Sequence, residues 1–323
     1  MASPHIRTWA AAAIAVLAAS SVHASDFPRK QITIIVPYTA GGSSDGVARL
    51  IGKALSEQMG QPVIVDNRPG AGATIGTGLV AKAPADGYTV LLADNAQTTA
   101  PSLYSQLPYD AVTSFRGIGI VGVTPAMLFS SLNSKLRSVK DMQEAQARNP
   151  QGFTIGVGSG SPSHLISELF QAQSKLKLQL IPYKGASQAA TDVLGGQIDM
   201  IFTNPASAGQ HAKSGKMNVV GVTGTQRHPA FPDVPTFKEQ GIPGLDSVSY
   251  WFALLAPAAL PPEVSQKWEK EFATAIASPA VSRGLAEIGI TKSDLTPAQL
   301  QKFLSDDRAV WANVVKNAGI KLP

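Results

Sequence analysis

The chain has 323 residues and no cysteine, which excludes disulfide frameworks, thiolate nucleophiles, Cys-ligated zinc and iron–sulfur clusters. At roughly 150 residues per domain the length predicts two domains, each able to bury a core. The 27 Lys and Arg exceed the 22 Asp and Glu for a formal charge of +5, but no three basic residues adjoin. Phosphate-backbone binding needs clustered cations interleaved with aromatic side chains, so nucleic acid is not an expected partner.

Residues 1–24 carry Arg7, the apolar stretch from Trp9 to Ala19 and the small-residue ending Val22-His23-Ala24. This is the pattern of a secretory signal peptide with an A-x-A-like cleavage site. The apolar stretch is about half the ~20 residues needed to span a bilayer. The mature chain is expected to begin at Ser25, outside the cytoplasm.

From Gln31 onward the pattern is strand, turn, helix in repetition. The β-branched run 32–36, stopped by Pro37, predicts a strand; Val47, Leu50, Ile51, Ala54 and Leu55 form one helical stripe over 47–55. A strand over 63–65, a turn over 66–72, a helix over 75–83 and a strand over 88–93 follow. Strands alternating with helices imply a mainly parallel sheet with right-handed crossovers. The pattern restarts after Pro125, with strands over 153–157, 178–181 and 198–202 and helices over 162–171 and 188–194, which predicts a second α/β unit. Beyond Gly241-Ile242-Pro243-Gly244, a strand over 249–255 precedes a helix-rich tail in which Trp268, Phe272 and Ile276 recur at i, i+4 and i+8. That tail is expected to pack back on the first unit.

Two segments end a strand, pass through small residues and open a helix: Val36-Pro37-Tyr38-Thr39-Ala40-Gly41-Gly42-Ser43-Ser44-Asp45 and Val157-Gly158-Ser159-Gly160-Ser161-Pro162-Ser163-His164. Each places a serine to cap its helix, and Pro162 sits at the favoured first helical position. Backbone amides at such a terminus, together with the positive end of the helix dipole, form an anion site that glycines let a ligand approach. Loops at the carboxyl ends of parallel strands are where open α/β sheets bind ligands. Two such loops could grip one carboxylate across a cleft. Candidate ligand-binding residues are Tyr38, Thr39, Ala40, Gly41, Gly42, Asp45, Ser159, Gly160, Ser161, Ser163 and His164. Strand-end reasoning adds Asn95 and Asn204, and also points to Tyr183-Lys184-Gly185. Asp45, in a first helical turn, either complements the dipole or accepts a hydrogen bond from a ligand amine.

Nucleotide and enzyme signatures fit poorly. Gly156-Val157-Gly158-Ser159-Gly160-Ser161 puts a serine where G-x-G-x-x-G needs its third glycine, and G-x-x-x-x-G-K-[ST] is absent. H-E-x-x-H does not occur, and the one G-x-S-x-G string, Gly42-Ser43-Ser44-Asp45-Gly46, has no histidine near it in sequence. No catalytic residue, metal or cofactor is expected.

At these residues the sequence resembles the Bug-type periplasmic solute receptors of tripartite tricarboxylate transporters. The resemblance is carried by Ile35-Val36-Pro37-Tyr38 with Ala40-Gly41-Gly42 and Asp45, Asn67-Arg68-Pro69-Gly70-Ala71-Gly72, and Asp86-Gly87-Tyr88-Thr89. It continues through Gly160-Ser161 with His164-Leu165, Pro182-Tyr183-Lys184-Gly185, Leu194-Gly195-Gly196-Gln197, Pro232-Asp233-Val234-Pro235-Thr236 and Ala318-Gly319-Ile320. It implies a two-domain α/β periplasmic binding protein of type II-like fold, with mainly parallel sheets and a cleft whose two Gly/Ser loops pinch a small carboxylate, partly through ordered water. Asp94-Asn95, Ala100 and Thr203-Asn204-Pro205 depart from the residues common in the family, at positions that would line the far end of the cleft.

The resulting expectation is a monomeric periplasmic receptor that delivers a di- or tricarboxylate, an amino acid or an aromatic acid to a membrane permease of the tripartite tricarboxylate type. Its first domain would comprise residues 25–124 and 248–323 and its second 125–247. The alternatives are a ligand-sensing receptor for a two-component kinase and an exported α/β hydrolase using a loop serine.

Overall fold

A computed structural model describes residues 27–158 and 160–318. The signal-peptide expectation and Ser159 lie outside the described residues.

The first sheet begins where sequence reasoning places it. Strand β1 (Ile32–Val36) lies between β2 (Val63–Asn67) and β3 (Thr89–Asp94), parallel to both. Helix α1 (Ser43–Met59) connects β1 to β2, and α2 (Thr74–Ala81) connects β2 to β3. The run at β1 is apolar apart from Thr33 because both faces are covered. Ile32, Ile34 and Val36 pack with α1 residues Val47, Ala48, Ile51 and Leu55, while Ile35 faces Val80 and Leu91 on the other side.

After α3 (Ala96–Leu103), β4 (Phe115–Pro125) runs through Ala126 into β5 (Met127–Ser131), which belongs to a second sheet. That sheet holds β6 (Phe153–Gly158), β7 (Leu178–Tyr183), β8 (Met200–Thr203) and β9 (Met217–Val222). Helix α4 (Val139–Gln146) precedes β6; α5 (Pro162–Ser174), α6 (Ala186–Leu194) and α7 (Pro205–Lys213) follow β6, β7 and β8 in turn. The chain then returns as β10 (Ser249–Pro257) to the first sheet, followed by α8 (Pro262–Ala277), α9 (Pro279–Glu287), the short edge strand β11 (Thr291–Lys292) and α10 (Pro297–Ala318).

The sheet orders are β11-β4-β10-β3-β1-β2 and β7-β6-β8-β5-β9. Each sheet takes the strand that has just crossed over, β10 in one and β5 in the other, and inserts it antiparallel between two neighbours. The sheets are therefore mixed: parallel within the strand–helix repeats and antiparallel around the crossing strands, because a strand arriving from the other sheet enters against the local direction. Sequence reasoning anticipated the parallel parts and missed β4, β5, β9, α3, α4 and α7.

Thr223 ties the two crossings together. Its hydroxyl accepts from Ala126 N at 2.9 Å and donates to Val248 O at 2.7 Å, and its own N–H donates to Ala126 O at 2.9 Å. The tail packs as expected at α8, where Trp268, Phe272 and Ile276 join the core on the α1 face of the first sheet. Helix α10 reaches further than expected. Leu300 and Leu304 sit in the first-sheet core, whereas Trp311, about two turns beyond Leu304, packs with residues of the second.

Candidate functional site

The cavity forms where both sheets present the carboxyl ends of their parallel strands. It encloses about 650 Å³ and is walled by the segments after β1, β2, β6, β7 and β8, with Asp94 at the end of β3, Tyr104, and Tyr250 and Phe252 of β10. A volume of this order suits a small organic ligand.

The helix termini around it are unusually bare. Helix α1 has Gly42 as N-cap with no side-chain cap, and Gly42, Ser43 and Ser44 line the cavity. Helix α5 begins at Ser161 with Pro162 in its first turn, but the Ser161 hydroxyl pairs with Ser163 Oγ at 2.9 Å instead of capping. Helix α6 follows Gly185, again without a side-chain cap. The expected serine caps are thus absent at the first two termini, and first-turn amides of α1 and α6 are left for something in the cavity; at α5 Pro162 has no N–H and His164 N donates to Ser161 O at 3.1 Å, which leaves Ser163 N. Such amides and their dipoles favour an anion. Helix α7 differs: Asn204 caps it by accepting from Ser207 N.

Among the described residues the two lobes touch at several places around the cavity. Asn204 Nδ2 donates to Ser43 Oγ at 3.0 Å. A Cβ placed on Gly185 would come within 2.6 Å of Thr39 Oγ1. Gly72 and Gly160, at φ 58° and 68°, approach so closely that a Cβ on Gly72 would lie 2.6 Å from Gly160 O, and one on Gly160 2.3 Å from Tyr104 Oη. Only residues without a side chain allow that approach.

Of the expected ligand-binding residues, Tyr38, Thr39, Gly42, Ser161, Ser163 and Asn204 line the cavity. Ala40 and Gly41 are exposed loop residues, and Asp45 is buried behind the loop. The Asp45 carboxylate accepts Gly41 N at 3.0 Å and pairs with Arg49 at 2.9 Å. Burial pushes its pKa up, but Arg49, the Gly41 N–H and Asn67 outweigh this and hold it below the usual range. Asp45 therefore shapes the loop and does not face the cavity. His164 sits behind the second loop, where Nδ1 accepts from Gly160 N at 3.3 Å and Nε2 lies 3.8 Å from Glu168. Burial lowers its pKa, partly offset by Glu168. Neither nitrogen bonds a serine hydroxyl, so the loop holds no serine–histidine pair among the described residues.

Asn95 is a strut. Its Nδ2 donates to Ser249 O at 2.9 Å and its Oδ1 accepts from Trp251 N at 3.0 Å, with 1% of the residue exposed. The side chain continues the β3–β10 pairing one step beyond Asp94. Of the positions departing from the family pattern, Asp94, Thr203 and Asn204 line the cavity, whereas Asn95, Ala100 and Pro205 do not.

Sequence reasoning left out Ser43, Ser44, Tyr104, Ser187, Tyr250 and Phe252, all of which line the cavity. Asp94 is not remote from the first loop, as its place at the far end would require. Its Oδ1 accepts from Tyr38 Oη and Ala96 N, both at 2.9 Å, and its Oδ2 from Ser44 Oγ at 3.3 Å. Burial raises its pKa to about 6, against the lowering by Ala96 N, Tyr38 and Ser44. Burial and the Asp94 charge push Tyr38 and Tyr250 upward in turn. An acid ending the buried run Val90–Ala93 was the available signal.

Two α/β lobes joined by paired crossings, with helix termini converging on the cavity between them, define a two-lobed binding protein. Comparison with known proteins agrees and goes further. The family described as "Tripartite tricarboxylate transporter family receptor" matches residues 47–320, and the chain belongs to that family. It is 35% identical over 307 residues to Protein BugT of Bordetella pertussis, covering 94% of each chain. Among solved structures, the periplasmic binding protein BugD superposes with a TM-score of 0.87 at 32% identity, covering 91% of this chain and 99% of BugD. Rpa4515 of R. palustris, solved with adipate, gives 0.87 at 31% identity, covering 92% and 99%.

Proposed function

We propose that this chain is an exported periplasmic receptor that traps a small carboxylate between its lobes and presents it to a tripartite tricarboxylate permease. The observation that carries the reading is the convergence of the uncapped α1, α5 and α6 termini on one cavity. An anion placed there receives backbone donors from both lobes, so binding would favour the lobes coming together. The lobes would be residues 25–124 with 248–323 and residues 125–247, and the crossings at Ala126 and Val248, clasped by Thr223, would act as the hinge. Tyr38, Thr39, Gly42, Ser161, Ser163 and Asn204 would contact the ligand or its bridging waters. The adipate in Rpa4515 supports a carboxylate as ligand class. No covalent step is involved; among the described residues no group of three His, Asp or Glu could hold a metal, and no helix is long and apolar enough to cross a membrane.

The test is thermal unfolding of the purified mature chain against a panel of mono-, di- and tricarboxylates, amino acids and aromatic acids. A ligand at 100 times its dissociation constant should stabilise the fold by about 2.7 kcal/mol. A panel without a melting shift refutes the reading.

A further inference from the structure

Resting on the carboxylate-receptor reading, one feature of the cavity narrows the ligand class. Among the described residues lining the cavity, Asp94 is the one carboxylic acid and Lys184 the one basic side chain, and Lys184 is exposed. Asp94 is 7% exposed, and its hydrogen-bond partners are neutral donors: two on Oδ1, and on Oδ2 the single long contact from Ser44. Among the described residues no Lys, Arg or His pairs with it. A carboxylate offers about four acceptor sites, so Oδ2 retains capacity for a further donor. Tyr38, Tyr250, Tyr104 and Phe252 line the same cavity, and aromatic walls beside a carboxylate suit a desolvated cation.

The placement of Asp94 adds the second constraint. It touches Ser44, in the first turn of α1, so a negative ligand group held at that terminus would stand next to a buried negative side chain. Like charges in a poorly solvated cavity repel strongly unless a cation lies between them. We propose that Asp94 receives an ammonium group of the ligand, and that the ligand is an α-amino acid whose carboxylate sits at the α1 terminus beside it. The adjacency of the two sites favours an ammonium and a carboxylate carried on one carbon over groups at opposite ends of a chain. With its pKa raised to about 6 by burial, Asp94 is still mostly ionised at neutral pH, by about tenfold. The titratable groups facing it are Tyr38 and Tyr250, both pushed upward and neutral there.

The test compares matched pairs by calorimetry at pH 7.5: succinate with aspartate, glutarate with glutamate, adipate with 2-aminoadipate, and 3-phenylpropionate with phenylalanine. In at least one pair the amine-bearing member should bind the wild-type protein at least tenfold more tightly, and Asp94→Asn should bring that ratio close to one. Asp94→Ser, checked for folding by circular dichroism, serves the same purpose if the asparagine variant does not fold. Binding of the plain acids as tightly as their amino counterparts overturns this inference alone and leaves the carboxylate-receptor reading intact. So does a plain acid gaining affinity as the pH falls through 6, which would make Asp94 a protonated donor to a carboxylate. A preference that survives in both variants also overturns it. Absence of binding by every compound overturns this inference, and the carboxylate-receptor reading then stands or falls on the wider melting panel.

Discussion

Asn95 offers a sharp test of whether a polar residue at a strand end holds the ligand or the scaffold. The perturbation is Asn95→Ala, which removes a donor to Ser249 O and an acceptor from Trp251 N, 154 and 156 residues away in sequence. The register of β10 on β3 ends at Phe252 opposite Asp94, so no strand replaces the lost side chain. A buried backbone group left unpaired costs about 1–3 kcal/mol, so two of them give roughly 2–6 kcal/mol. At about 2–4 °C per kcal/mol for a chain approaching this size, the melting temperature should fall by ~4–24 °C. Asn95→Asp should lose at least as much, because an anionic oxygen would face the Ser249 carbonyl. The assay is thermal and urea unfolding of the ligand-free variants, followed by calorimetric titration of the folded protein with whichever acid the panel identifies. Affinity should stay within about threefold, under ~0.7 kcal/mol. A melting temperature within ~2 °C of wild type together with a loss of affinity above about tenfold (~1.4 kcal/mol) would refute the strut and move Asn95 to the ligand.

Three further outcomes are expected. Thr223→Val leaves Ala126 N–H and Val248 C=O without the hydroxyl that joins them, so chemical denaturation should show a loss of ~2–4 kcal/mol; a loss under ~0.5 kcal/mol would show that the clasp is dispensable. Gly160→Ala forces a side chain to φ 68° and drives a Cβ to within 2.3 Å of Tyr104 Oη, so it should weaken ligand binding by at least tenfold, or ~1.4 kcal/mol. The double variant with Tyr104→Phe should recover part of that loss, and unchanged affinity in Gly160→Ala would show that the lobes need not approach there. Asp94 has a folded pKa raised by burial to about 6 from 3.8, so the folded state holds the proton more tightly than the unfolded one. Its contribution to stability is greatest below pH 4, declines as pH rises to 6 and is level above. The wild type should lose about 3 kcal/mol relative to Asp94→Asn across that window, and parallel stability curves from pH 4 to 7 would show that the carboxyl is not desolvated.

The sequence alone determined what depends on near neighbours. The β-branched run at 32–36 and its Pro37 stop, the helical stripe from Val47, the Trp268–Phe272–Ile276 spacing and Pro162 at a helix start are local signals, and the chain obeys them. The two Gly/Ser loops were legible for the same reason, as was the family, because its motifs are short contiguous strings. Tertiary structure decided what depends on partners far along the chain. β10 inserts antiparallel between β3 and β4, and β5 between β8 and β9; no local pattern encodes which neighbour a crossing strand will find. The same holds for polar side chains. Asp94 ends β3 and Asn95 follows it directly, yet Asn95 bonds the backbone of β10 and Asp94 lines the cavity. Alternation along a strand places successive side chains on opposite sides, but which side is core and which is cleft is fixed only when the second lobe arrives. Asp45 and Asp94 show the same division: local bonds to Gly41 and Arg49 hold one carboxylate below its usual pKa, while burial by the assembled lobes raises the other.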